Sequence, residues 1–204
     1  MADTAHSITT YLSDMLALER HIRIPFETQL KDEDFAAYSN AKQLVAQLVN
    51  LAETHIADLE GLLSVKGGHE ASPVKSAVSQ FEGLVAGAID KMRKTKVSKA
   101  LRDDYTALSL CAASYTMLYA TANATGEGDV ATLAKQHLED YTKCVMELAE
   151  VLPYVVVAEL QAIGIPVETG TIARSVEVTQ QAWRSGRPAS STVTDSTTTT
   201  TGSI

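Results

Sequence analysis

Cysteine is scarce in this chain: Cys111 and Cys144 are its two thiols. Met1 to Thr10 carries neither a basic n-region nor an apolar h-region, so the sequence predicts no signal peptide and a cytoplasmic location. In that setting two thiols read as reduced core residues, not as a disulfide framework. Long apolar runs are also missing. No window approaches the ~18 apolar residues that a membrane span needs, and the mean hydropathy of -0.01 matches a soluble protein. Basic charge is in deficit, with 17 Lys and Arg against 25 Asp and Glu and a net charge of -8. That argues against nucleic acid as a general partner, because such binding draws on a basic surface. Strand-like alternation is absent as well.

What remains is helical spacing over the first 160 residues or so. A first helix is predicted from about Ser7 to Leu30, with Ile8, Leu12, Met15, Ile22 and Phe26 on one face and Pro25 kinking or dividing it. Asp34 is the expected N-cap of a second helix that runs to Val65 and carries Val45, Leu48, Ala52, Ile56, Leu59 and Leu63. A crossover follows, with its own short amphipathic helix between Ser72 and Ile89, and then a basic stretch from Lys91 to Lys99 read as a solvated face. The third helix is predicted over Val97–Ala124, with Leu101, Tyr105, Leu108, Ala112, Tyr115 and Tyr119 in line. After a turn at Gly126, Asp129 is the expected cap of a fourth helix that Gly164 and Pro166 end. Two antiparallel hairpins joined by one long crossover is the connectivity of ferritin-like four-helix bundles. The predicted domain is residues 1–166, and residues 167–204 are read as a flexible Thr/Ser-rich tail.

Polar residues on the inward faces are where chemistry is expected in a bundle. Glu19 sits among Leu12, Met15, Ile22 and Phe26. A carboxylate there must be protonated, hydrogen-bonded or bound to a cation. Two readings stay open for it: a metal ligand, or a member of a structural network with a Tyr, His or Arg. His137 falls in line with Ala134, Tyr141 and Cys144, and His55 lies toward one edge of the second helix's stripe. Glu53 does not share a face with His55, being two residues away. Asp104 is read as N-terminal charge favouring the helix dipole, the tyrosines mainly as core packing, and the cysteines as buried thiols. The Glu-x-x-His pairs of a carboxylate-bridged di-iron bundle are missing from the second, third and fourth helices. The candidate metal ligands are therefore Glu19, His137, Tyr141 and His55, with iron the candidate ion and no cofactor required.

Three stretches carry a resemblance: Leu16-Ala-Leu-Glu-Arg-His21; Phe81-Glu-Gly-Leu84; and Ala113-Ser-Tyr-Thr-Met-Leu118 leading to Leu133-Ala-Lys-Gln-His-Leu-Glu-Asp-Tyr141. On these the chain resembles the stress-associated YciE/YciF-type branch of the ferritin-like superfamily. The resemblance implies that Glu19 matches the first-helix carboxylate. It also implies that Leu108, Cys111, Asn50 and Leu51 stand where other ligands would, with Asp140 and Tyr141 at the paired acids of the fourth helix. The implied function is a stress-associated, oligomeric structural or protective module with a degenerate metal centre. The alternatives are an iron-binding or redox-active protein with an altered shell around Glu19, or nanocompartment cargo addressed by a tail ending in Thr201-Gly-Ser-Ile204. A homodimer is expected through the first two helices, because Leu44, Leu51 and Leu62 fall outside the main stripe. Neither a membrane nor a nucleic-acid partner is expected, and the tail is the candidate site for a protein partner.

Overall fold

The structure is a computed structural model that describes residues 4–67 and 96–186. The crossover helix expected between Ser72 and Ile89, most of the Lys91–Lys99 stretch, and the segment from residue 187 onward lie outside the described residues. Four long helices form an all-α bundle: α1 (Thr4–Leu30), α3 (Ser39–Val65), α4 (Val97–Thr125) and α5 (Gly128–Ala162). A single turn, α2 (Glu33–Ala36), precedes α3, and α6 (Thr171–Ser185) follows α5. There is no strand among the described residues, and no described helix is long and apolar enough to cross a membrane.

The apolar stripes are what bring the helices together. Ile8, Leu12, Met15, Ile22 and Phe26 of α1 are buried, as are Val45, Leu48, Ala52, Ile56, Leu59 and Leu63 of α3. Leu101, Leu108 and Tyr115 of α4 and Val130, Tyr141, Val145 and Leu148 of α5 close the core from the other side. Tyr119 departs from its expected stripe and is 38% exposed. Leu44 is buried inside the chain, and Leu51 and Leu62 pack partly against its core.

Cross-helix partners give the directions. Between α1 and α4, Glu19 meets Tyr115 while Gln29 meets Asp104. Between α3 and α5, His55 meets Asp140, Asp58 meets His137 and Lys66 meets Glu127. In each pair the numbers rise on one helix as they fall on the other, so both pairs are antiparallel. The α1/α3 and α4/α5 hairpins then leave α3 and α4 running the same way. Gly67 and Lys96 therefore stand toward opposite ends of the bundle, roughly 40 Å apart, the length of a helix such as α3.

Local chemistry explains the ends and corrects several expectations. α1 runs undivided through Pro25 to Leu30; the lost N–H bond is offset by core packing at Pro25 and Phe26. The cap before the second hairpin arm is Asp32, whose Oδ1 accepts from Asp34 N at 2.9 Å. It starts the separate turn α2, which lets Phe35 bury before α3 begins. After α4, Gly126 takes φ 77°, the left-handed conformation that suits glycine, and Glu127 N bonds back to Ala122 O at 2.9 Å. α5 begins one residue before Asp129, which sits in the first turn, favourably placed for the helix dipole.

α6 stands where the sequence reads as flexible tail from residue 167. Its half-buried face (Ile172, Val176, Thr179) has helical spacing but only two large apolar members, so the stripe is faint in the sequence. Contacts from outside the segment hold it in place. Gln180 Nε2 donates to Glu150 Oε1 of α5 at 2.6 Å, and Trp183 lies against Tyr105.

Glu159, buried near the end of α5, accepts from Ser98 N at 2.9 Å and from Ser98 Oγ at 2.6 Å, so it caps α4 from a neighbouring helix. Glu159→Ala is expected to lower stability by about 1–3 kcal/mol in chemical denaturation, and Glu159→Gln to recover part of that loss.

Candidate functional site

Halfway along α1, helical spacing points Glu19 into the bundle, and its side chain has no exposed surface. Each of the other three long helices sends a donor to it. Tyr115 of α4 donates its hydroxyl to Oε1 at 2.6 Å, Tyr141 of α5 donates to Oε2, and His55 Nδ1 of α3 lies 3.1 Å from Oε1. Burial, and then the Glu19 charge, push both phenols well above the ordinary tyrosine range, so they remain donors. Cys111 lies in the same field, and the same two causes push its thiol up. It and Cys144, raised to about 11 mainly by burial, are free, protonated core thiols.

His55 and His137, both about 1% exposed, stack with ring centroids 3.6 Å apart and planes at 15°. The tyrosines close the stack edge-on, Tyr141 against His55 and Tyr115 against His137, each at 5.0 Å. The outer nitrogens are held crosswise. His55 Nε2 of α3 is 3.4 Å from Asp140 Oδ2 of α5, while His137 Nε2 of α5 is 3.3 Å from Asp58 Oδ2 of α3. Gln136 Nε2 in turn donates to Asp140 at 3.2 Å. The inner nitrogens differ. His55 Nδ1 faces Glu19, and His137 Nδ1 is buried with no hydrogen-bond partner.

Donor and acceptor accounting assigns the protons. His55 lies between two carboxylates, with Nδ1 facing Glu19 and Nε2 facing Asp140. His137 donates from Nε2 to Asp58, which leaves a bare lone pair on Nδ1. Burial, and then the neighbouring His55, lower the His137 pKa to about 4, with Asp58 opposing. His137 is therefore a neutral ring.

One nitrogen from each histidine and one Glu19 oxygen all lie within 4.8 Å of one another, so Glu19, His55 and His137 form a buried cluster that could hold a metal ion. Three donors bonded tetrahedrally to one ion at 2.0–2.2 Å lie about 3.4 Å apart, so taking up an ion would draw the three side chains together. Among the described residues no second such cluster stands beside it. The other buried acids among the described residues, Asp104 and Glu159, are engaged by Gln29 and Ser98.

All four residues expected at the centre, Glu19, His55, His137 and Tyr141, meet there. Sequence reasoning missed three others. Tyr115 was expected mainly as packing and is a direct partner of Glu19. Asp58 was not singled out, and Asp140, which the resemblance sets at one of the paired acids of the fourth helix, is partly exposed and reaches His55. Their signal is a repeated His-x-x-Asp, at His55–Asp58 and His137–Asp140, which the antiparallel crossing of α3 and α5 turns into two reciprocal pairs. Glu53 is exposed. Asp104, read as N-terminal charge favouring the helix dipole, is buried at 4% exposed.

No known protein family matches this chain, and no curated protein is similar to it. A crystal structure of a protein from Xanthomonas campestris pv. campestris is similar, with a TM-score of 0.64 at 19% identity, covering 80% of this chain and 100% of that one. At that identity the likeness shows the fold alone.

Two predictions follow from the centre's geometry in metal-free protein. Tyr141→Phe removes a buried charge-assisted bond and is expected to cost about 1.5–3 kcal/mol by urea denaturation. His137 is neutral when folded down to about pH 4 but ionises near 6.5 when unfolded. Between those values the unfolded state binds the extra proton, so this residue's contribution is present above 6.5 and lost as pH falls. Stability measured from pH 7 to pH 4 should fall more steeply for the wild type than for His137→Asn.

Proposed function

We propose that this protein is a ferritin-like bundle whose two-metal centre has been reduced to a site for one transition-metal ion, bound by Glu19, His55 and His137. The buried lone pair on His137 Nδ1 carries this reading. Metal-binding histidines are commonly fixed by a carboxylate on the far nitrogen, and Asp58 and Asp140 stand in that place for the two rings. Two imidazoles and one carboxylate suit iron(II) or zinc(II). Iron would supply one-electron chemistry, and zinc none. The protein's own part is to orient the ligands: Tyr115 and Tyr141 hold the Glu19 carboxylate in place, and the crossed aspartates fix both rings. Burial of all three ligands favours sequestering an ion over turning over a substrate, in line with a protective, stress-associated role.

A second reading is favoured by the three side chains that already meet the two oxygens of Glu19: the centre is a metal-free polar hub. Metal analysis of protein produced with iron or zinc supplied separates the two. About one ion per chain is expected, with at least tenfold weaker binding in Glu19→Ala and His137→Asn. Two ions per chain would refute the single-ion site, and none would leave the hub.

A further inference from the structure

Gln29, near the end of α1, and Asp104, near the start of α4, meet across the seam between the two hairpins, and both are buried, at 1% and 4% exposed. Gln29 Nε2 donates to Asp104 Oδ1 at 2.8 Å. The second oxygen of each side chain, Gln29 Oε1 and Asp104 Oδ2, is buried without a hydrogen-bond partner. An ionised carboxylate here leaves two buried acceptors facing a site with no further donor, at a cost of about 1–3 kcal/mol for each unmade bond. One proton resolves both, because Asp104 Oδ2 then becomes the donor that Gln29 Oε1 lacks. We propose that Asp104 is a neutral carboxylic acid in the folded protein and closes a two-bond acid–amide pair with Gln29, a proton-controlled latch between the hairpins.

The surroundings support a neutral acid. α1 faces Asp104 with the uncharged Gln29, and among the described residues no cation forms an ion pair with it. On its own helix Asp103 adds negative charge. The buried acid of α5, Glu159, is taken up by Ser98, and α6 contributes the uncharged Trp183 beside Tyr105. Burial, with Asp103 adding to it and the Gln29 bond opposing, raises the Asp104 pKa to about 8 from 3.8. The folded state therefore holds a proton that the unfolded state has released. Stability from this pair is present at low pH and is lost as pH rises toward 8, the reverse of a salt-bridged aspartate. Gln29 lies about 15 Å along α1 from Glu19, so the latch does not rest on what the centre binds.

Full-length wild type is compared with Asp104→Asn, whose amide keeps both hydrogen bonds without a titrating proton. From pH 6 to pH 9 the wild-type folding equilibrium is expected to weaken about a hundredfold relative to the variant. In protein carrying 13C-labelled aspartate, one carboxyl resonance should stay protonated at pH 6, titrate near pH 8, and be missing from the variant. If the variant does not fold, that wild-type titration decides alone. A wild type whose aspartates are all ionised at pH 6, or a stability difference that does not change with pH, overturns the latch.

Discussion

A carboxylate with no exposed surface must be met by donors or by a cation, and in this bundle one residue from each of the other long helices meets Glu19. His55, Tyr115 and Tyr141 come from α3, α4 and α5, so a single side chain of α1 ties four helices at one level. Apolar stripes alone tolerate sliding, because one leucine packs against another at several registers. A buried charge does not, since a shift of one turn would leave it without partners at a cost of several kcal/mol. Glu19 thus fixes register as well as chemistry.

The crossed His–Asp pairs extend that constraint outward. Each aspartate is partly solvated and holds a buried ring on the facing helix, so the seam between α3 and α5 is set by two reciprocal contacts. The same contacts leave the His137 lone pair inward. Orientation of the rings and the capacity to take an ion are therefore one structural fact, because a ring fixed at one nitrogen presents the other in a fixed direction.

Among the described residues, three buried acids are answered in three ways. Glu19 receives hydroxyl and imidazole donors, and Glu159 receives the backbone N–H and hydroxyl of Ser98 at the start of α4. Asp104 has a single amide donor, too little for a full charge, and a proton makes up the difference. The number of donors in reach decides whether a buried carboxyl stays ionised.

Much of this was legible in the sequence. Stripe spacing gave the four long helices, and it placed Glu19 and His137 inward because helical periodicity fixes which residues share a face. The turn at Gly126 could be read because a positive φ favours glycine. Three features could not be read this way. That Tyr115 is a partner and not packing depends on which atom its hydroxyl reaches across the bundle. α6 depends on docking against α5, through Gln180 and Trp183, which its faint apolar pattern does not announce. The meeting of Gln29 with Asp104, and of each histidine with the opposite aspartate, depends on the relative heights of separate helices. The sequence by itself determined which residues face inward, because periodicity is local; tertiary structure alone decided which of them touch, because register between helices is set by packing across the whole core.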